Sequence, residues 1–274
     1  MTFDLAIIGQ GRVGTALGAA LAGTDVAVTS LSSRSLPTEL AASAYVVAVR
    51  DADVAATARR LVSRHQGGAP IILHTAGALS SSVLLDAGAA HGALMHPLVA
   101  FAGATATLRG AWFAIEGDAM ARELATTLVA KMGGQSFFLR ADQLATYHAA
   151  AVLASNHVLG LVAVASALLA ELGLEERAAT TALARLFRGV ADNLDALGLP
   201  RALTGPIARG DAETVRAHLV ALAEEPEARA SYLATAPVLV RLAAEKGSAD
   251  PVGLQEIRRA LSESLRLYPI PGVD

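Results

Sequence analysis

Leu5-Ala6-Ile7-Ile8-Gly9-Gln10-Gly11-Arg12-Val13-Gly14 begins almost at the first residue and decides how the rest of the chain is read. A short apolar run feeds directly into G-x-G-x-x-G, and a helical pattern from Thr15 to Ala22 follows at once. Strand, glycine motif and helix in that order make a dinucleotide-binding fingerprint. Gly9 permits the tight turn, Gly11 lets the backbone approach a pyrophosphate, and Gly14 lets helix and strand pack closely. Gln10, Arg12 and Val13 complete the segment expected to face the cofactor. The helix N-terminus offers free N–H groups and a partial positive charge to phosphates. The plainer alternative is a glycine-rich turn that binds nothing, and the flanking strand and helix weigh against it.

The 274 residues suffice for one large domain or two ordinary ones. Hydrophobic residues make up 53% and charged residues 17%, so a sizeable core can be buried and disorder is disfavoured. A net charge of −3 without a basic cluster gives no reason to expect nucleic acid or a membrane surface as partner. With no cysteine there is no disulfide, thiolate nucleophile or Cys-type zinc site, and the seven histidines are too scattered for a metal site. Met1-Thr2-Phe3-Asp4 lacks the basic opening of a signal peptide, which points to the cytoplasm. Val158 to Ala170 is almost wholly apolar but falls short of a membrane span. It reads as a helix that its own domain or a partner subunit must cover.

The first half alternates strand and helix signals. Strands are expected at Asp4–Ile8, Asp25–Ser30, Tyr45–Val49, Pro70–His74, Ala93–His96, Trp112–Glu116 and Ser136–Leu139. Helices are expected at Arg12–Leu21, Asp53–Arg64 and Met120–Met132. Such alternation implies an α/β fold with a doubly wound, mostly parallel sheet of Rossmann type. From Ala141 onward the pattern is helix after helix: Ala141–Leu172, Leu174–Leu197, Ala212–Ala223, Pro226–Glu245 and Gly253–Leu267. The expected division is therefore a dinucleotide-binding domain over 1–140 and an all-helical domain over 141–274. The tail Tyr268-Pro269-Ile270-Pro271-Gly272 cannot continue a helix.

The end of the second strand reads the adenosine ribose: an acidic residue suits NAD, and an arginine suits the 2′-phosphate of NADP. This chain places Ser32-Ser33-Arg34 there, and no acidic residue follows that strand before Glu39. Hydroxyls and a guanidinium can hold a phosphate dianion, so NADP(H) is favoured over NAD(H); a solvated loop arginine is the alternative. Only ten residues separate Arg34 from Tyr45, with one possible helical turn at Pro37–Ala42. A crossover needs about 10–12 residues at least, so the third strand, normally an edge strand, is expected to be missing.

Four segments carry a resemblance: His74-Thr75-Ala76-Gly77-Ala78-Leu79; Met95-His96-Pro97-Leu98-Val99-Ala100-Phe101; Tyr147-His148-Ala149-Ala150-Ala151 running to Ala154-Ser155-Asn156; and Ala202-Leu203-Thr204-Gly205-Pro206-Ile207-Ala208-Arg209-Gly210-Asp211. With the opening fingerprint they resemble the two-domain family that joins a Rossmann-like NADP-binding domain to a C-terminal helical domain of unknown function 2520. That family is similar in architecture to the 6-phosphogluconate dehydrogenase-like reductases, pyrroline-5-carboxylate and ketopantoate reductases among them. The resemblance implies an NADP-dependent oxidoreductase that dimerises through its helices. The chain differs from the pattern in its shortened 34–45 region and in Arg50, where a small residue or proline is common.

In open α/β sheets the ligand lies beyond the carboxyl ends of the strands. His74 ends one strand there and opens a turn containing Thr75 and Gly77, which are placed with the cofactor. His96 ends another strand, and a histidine can donate the proton that reduction of a C=O or C=N bond requires. His148, Ser155 and Asn156 share the long helix that opens the second domain. At about 100° per residue His148 and Ser155 differ by about 20° in azimuth, and Asn156 lies about 80° from His148. His96, His148 and Asn156 are the catalytic candidates; His74, Ser155, Thr204 and Arg209 are the substrate-binding ones. In the reductases that the chain resembles, a polar pair on this helix faces the nicotinamide; here Val152 rather than lysine stands one turn before Asn156, which moves the proton-donor role towards histidine. Each histidine could instead be bonded to backbone, and Asn156 could be a buried amide. Asp211 reads as a helix N-cap, Gly205-Pro206 as a turn, and Arg209 as a carboxylate ligand or a surface residue. The expected function is NADP(H)-dependent oxidation or reduction of a small polar substrate between the two domains of a homodimer. A nucleotide-responsive binding or scaffold protein without turnover is the alternative.

Overall fold

The chain was analysed as a computed structural model, which describes residues 3–102 and 107–267; the proline-containing tail lies outside these. By contacts the chain divides into two compact units, Met1–Ser155 and Asn156–Asp274. The sequence reading put the change at 140/141. The difference arises because Ala141–Ser155, although helical, stays with the sheet: Tyr147 bonds to His96 and packs on Phe137.

In the first unit the elements are β1 (Phe3–Ile8), α1 (Arg12–Leu21), β2 (Val26–Leu31), β3 (Ala44–Val47), α2 (Val54–Arg64), β4 (Ile71–His74), α3 (Ser82–Leu85), β5 (His91–Pro97), β6 (Trp112–Gly117), α4 (Ala119–Lys131), β7 (Gln135–Phe138) and α5 (Leu144–Leu153). The sheet order is β2-β1-β3-β4-β5-β6-β7. Among these strands only β5 and β6 run antiparallel to each other. All seven expected strands are present. The 3₁₀ turn Asp51–Asp53 and the one-turn helix α3 were not foreseen.

Burial on both faces explains the near-continuous apolar strands. Leu5, Ile7, Val46 and Leu73 face α1 and α4 in one core layer. The alternate residues Ala6, Ile8, Tyr45, Val47 and Ile72 face α2 and α3 in the other. The order in which strands are added reverses between β1 and β3, because β2 lies on one side of β1 and all later strands on the other.

The usual third strand is absent, as expected, and β2 is the sheet edge. The connection from β2 to β3 is extended and carries no helical turn at Pro37–Ala42, contrary to expectation. Its backbone is held by α2. Arg64 donates to the carbonyls of Leu36 and Pro37, Leu40 N–H bonds to Arg64 O at 2.9 Å, and Gln66 N–H bonds to Leu40 O at 2.7 Å. With its polar groups bonded in this way and Leu36 and Leu40 buried, the segment has no need to coil.

The second unit comprises α6 (Asn156–Glu171), α7 (Glu176–Leu197), α8 (Gly205–Arg209), α9 (Ala212–Ala221), α10 (Pro226–Lys246) and α11 (Pro251–Leu267). The sequence reading made 141–172 a single helix. The structure interrupts it at Ala154–Ser155, so the azimuths assigned to His148, Ser155 and Asn156 on one helix do not apply. Ile207, Val215, Leu233, Val240, Leu254 and Ile257 build a core among α8 to α11. Helices α6 and α7 pack on each other but add nothing to that cluster. Ser166 is the buried residue of α6, so Val158–Ala170 is left largely uncovered rather than enclosed by its own domain. By length and composition 141–171 could cross a membrane, with a mean hydropathy of 1.9 in its most apolar window. On α7, Phe187, Val190, Leu194 and Leu197 form an exposed apolar stripe at helical spacing.

Candidate functional site

The three glycines of the fingerprint do three different things. Gly9 has φ +125°, and a Cβ there would stand 2.2 Å from Ala48 O. A Cβ on Gly14 would lie 1.9 Å from Gly9 O, so this residue sets how closely α1 sits on β1. A Cβ on Gly11 would meet nothing within 4 Å. Gly11 is the N-cap of α1, with no side-chain cap and no acidic residue in the first turn. The helix therefore opens with unfilled donors above an open surface, which suits an anion.

That surface is the wall of a cavity of about 900 Å³. Four strand ends contribute: Gly9 to Val13 after β1, Ser32 to Arg34 after β2, Ala48 to Arg50 after β3, and Thr75 after β4. It lies where the strand order reverses, the position at which open α/β sheets bind ligands. Four guanidinium groups, those of Arg12, Arg34, Arg50 and Arg60, line it against one carboxylate, Asp53. Arg50 pairs with Asp53 at 2.9 Å. Arg50 therefore lines the cavity with its charge balanced by Asp53. Glycine cradle, α1 terminus and cation excess fit a dinucleotide phosphate chain. Arg50 and Arg60 were not placed at the site from sequence, because a helix or turn arginine carries no signal of what it faces.

Of the residues expected at the cofactor, Gly9, Gln10, Gly11, Arg12, Val13, Ser32, Ser33, Arg34 and Thr75 line this cavity. Gly14 and Gly77 do not. Gly14 acts from beneath, as above. A Cβ on Gly77 would stand 2.8 Å from the His96 ring, so its smallness makes room for that imidazole.

Beyond Thr75 lies a cluster of histidines within the first unit. His74 is 0% exposed, which corrects its assignment as a substrate contact. Its Nδ1 accepts from Ala76 N–H at 3.2 Å and its Nε2 has no partner. Burial pushes its pKa down to about 4, with His96 adding to the fall. His96 Nδ1 lies 2.5 Å from Tyr147 Oη, with the rings edge to face. Burial first and His148 second push His96 down to about 4, against a pull from Asp51. Burial raises Tyr147 to about 12, so the phenol stays protonated. The His148 ring is 6.3 Å from that of His96, and its Nδ1 is buried without a hydrogen-bond partner. Tyr147 was the residue overlooked; its place beside His148 in the sequence gave no sign of a bond to a strand 51 residues away.

The remaining candidates are explained locally. Ser155 Oγ donates to Ala151 O at 2.7 Å, where α5 ends. Asn156, in the second unit, is exposed as the first residue of α6, as is His157 after it. Thr204 holds the N-cap position of α8 without a side-chain cap bond. Gly205-Pro206, expected as a turn, opens that helix with Pro206 in its first turn. Asp211 caps α9, accepting from Thr214 N–H at 3.0 Å, as expected. Arg209 keeps an exposed guanidinium 3.7 Å from Asp211. Gly210 is left-handed at φ +75°, and a Cβ on Gly253 would lie 1.9 Å from Gly210 O. The distinctive 202–211 segment is thus the corner where α8 turns into α9 against the start of α11. No group of metal-binding side chains occurs among the described residues.

Residues 111–237 match the family model described as a domain of unknown function, DUF2520. The match starts at β6, inside the sheet unit, and ends within α10. None of the curated proteins matches the chain in sequence. Among solved structures, protein TM1727 from Thermotoga maritima superposes with a TM-score of 0.72 at 22% identity, over 88% of this chain and 99% of that one. A candidate NADP oxidoreductase from Bacteroides fragilis gives 0.67 at 20% identity, over 87% and 98%. The pyrroline carboxylate reductase of Plasmodium falciparum, solved with NADP bound, gives 0.57 at 14% identity, over 90% and 98%. At such identities the likeness is one of fold.

Two predictions follow from this geometry. Gly14→Ala is expected to destabilise the chain by about 1–3 kcal/mol, and Gly11→Ala to leave stability within about 0.5 kcal/mol. Urea unfolding of both variants checks this; equal stabilities would sink the division of roles. The second concerns pH. His74 and His96 titrate near 4 when folded, below the ordinary value of 6.5, so the unfolded chain binds protons that the folded chain refuses. Stability is therefore full above pH 6.5 and falls as pH drops towards 4, with a loss on the order of 3 kcal/mol per histidine. Urea midpoints at pH 7 and pH 5 measure it, and His96→Gln should remove part of the slope. An unchanged slope in that variant would count against burial of a neutral His96.

Residues 111–237 thus resemble the DUF2520 domain, and the fold is the Rossmann-like one also found in NADP oxidoreductase and pyrroline-5-carboxylate reductase structures.

Proposed function

We propose that the protein is an NADP(H)-dependent oxidoreductase acting on a small polar substrate with a C=O or C=N bond, or on the reduced form of such a bond. The observation that carries this reading is the cavity at the sheet reversal. Its floor is the glycine cradle and its walls hold four arginines against one carboxylate. The bound coenzyme would supply or accept the hydride.

The chain's own residues would supply position and hydrogen-bond donors. The open face of Gly11 and the first N–H groups of α1 would take the pyrophosphate; Ser32, Ser33 and Arg34 would take the 2′-phosphate. In the tautomer in which Tyr147 Oη donates to His96 Nδ1, the proton of the neutral imidazole sits on Nε2. Nε2–H would then donate a hydrogen bond that polarises the C=O or C=N bond of a substrate, and Tyr147 would fix the ring that donates it. His148 stands beside this pair with an unused Nδ1. Asn156 and Arg209 are the polar candidates of the second unit, Arg209 for a substrate carboxylate.

The test is a titration with both coenzymes. NADPH is expected to bind at least about tenfold more tightly than NADH, and Arg34→Ala to erase the preference. Equal affinities in the parent protein would remove the NADP assignment. Binding without turnover against a metabolite library would favour a nucleotide-responsive binding protein instead.

The reading includes a cytoplasmic homodimer formed through α6 and α7. Phe187, Val190, Leu194 and Leu197, with Leu159 on α6, leave an apolar surface of a kind that isolated soluble chains seldom keep. A two-fold dimer would cover the same patch on both copies. Sedimentation at micromolar concentration should show the dimer, and Val190→Asp with Leu194→Asp should yield monomers. A parent protein that sediments as a monomer contradicts it.

A further inference from the structure

Arg60 stands out among the arginines of the cavity because its place depends on what the sheet lacks. An ordinary third strand would lie beside β2, between the loop after β2 and solvent. Here that strand is missing, and the connection runs along α2 instead. Arg60, in the penultimate turn of α2, donates through one terminal nitrogen to Ser33 O at 2.7 Å. The same side chain lines the cavity together with Ser32, Ser33 and Arg34. Its remaining N–H groups have no protein partner among the described residues. One edge of the guanidinium thus holds the loop, and the rest faces the space beside Arg34.

We propose that Arg60 is a specificity-determining residue: with Ser32, Ser33 and Arg34 it completes a site for a phosphate monoester on the adenosine ribose. The shortened connection, which from sequence looked like a thinner wall, brings in this second cation. A phosphate dianion accepts from two planar forks better than from one, since each can give paired N–H bonds. Arg34 is exposed on a loop, whereas Arg60 is partly buried and anchored at Ser33. Arg60 is therefore the pre-organised member of the pair. The proposal rests on the nucleotide reading of this cavity but not on any reaction.

The test measures binding of 2′,5′-ADP, 5′-AMP, NADPH and NADH by calorimetry to the full chain and to Arg60→Ala and Arg60→Lys. Arg60→Ala is expected to weaken 2′,5′-ADP and NADPH by about tenfold or more, and 5′-AMP and NADH by less than about threefold. Arg60→Lys keeps the charge and a donor for Ser33 O but not the fork, so it should recover only part of the loss. It also decides the question if the alanine variant fails to fold. Equal weakening of all four ligands would show that Arg60 merely shapes the loop and would overturn the proposal, as would no weakening at all. A parent chain that binds 2′,5′-ADP but neither coenzyme keeps the Arg60 assignment and removes the reductase reading. A parent chain indifferent to 2′,5′-ADP overturns the assignment itself.

Discussion

The contact on which the rest depends is backbone against backbone, between Gly9 and Gly14. A methyl group on Gly14 would sit 1.9 Å from Gly9 O, so the first turn of α1 lies as close to the end of β1 as a polypeptide allows. The approach is held on its other side by Gly9 N–H bonding to Leu31 O at 2.9 Å and Ala48 N–H bonding to Ile8 O at 2.8 Å. The ends of β1, β2 and β3 are therefore fixed relative to one another before any side chain is considered. That pins the floor of the cavity and aims the α1 terminus into it. Because the donors are main-chain N–H groups, their direction follows from the fold and costs no side-chain ordering when an anion arrives.

A second constraint is electrostatic. His74, His96 and Tyr147 lie together beside His148, and desolvation holds each of these three neutral. The neighbouring His148 further disfavours a charge on His96. His74, His96 and Tyr147 are therefore polarised hydrogen-bonding dipoles near neutral pH rather than ions. This differs sharply from the neighbouring cavity, where four guanidiniums stay charged. The two regions meet at Thr75, so a strongly cationic surface adjoins one lined by neutral His74 and His96.

Much of this was legible in the sequence, for identifiable reasons. The strands of the sheet were readable because burial on both faces makes them short, apolar and bounded by turn residues. The missing third strand was readable from chain length alone, since the residues between Arg34 and Tyr45 cannot hold a crossover. Nine of the residues expected at the cofactor line the cavity, because the fingerprint and the end of β2 are local features. What was not legible was long-range. The bond from Tyr147 to His96 and the reach of Arg60 to Ser33 span 51 and 27 residues, and no local pattern announces them. His74 was misjudged because a strand end can carry its last side chain inward as well as toward the ligand. The interruption at Ala154–Ser155 escaped notice because neither residue breaks a helix by propensity. The helix ends where Ser155 bonds back to Ala151.

Loss of the third strand has a further effect, on how this molecule meets others of its kind. It makes β2 the margin of the sheet, bonded along one side only, to β1. A bare strand margin is a template for unwanted pairing between molecules. Thr29 and Ser30, exposed near its end, give that margin a wettable character, and the strand is only six residues long. The shortening that opens the cavity to α2 is therefore tolerable in a crowded solution because the newly bared strand offers little for a neighbouring sheet to extend.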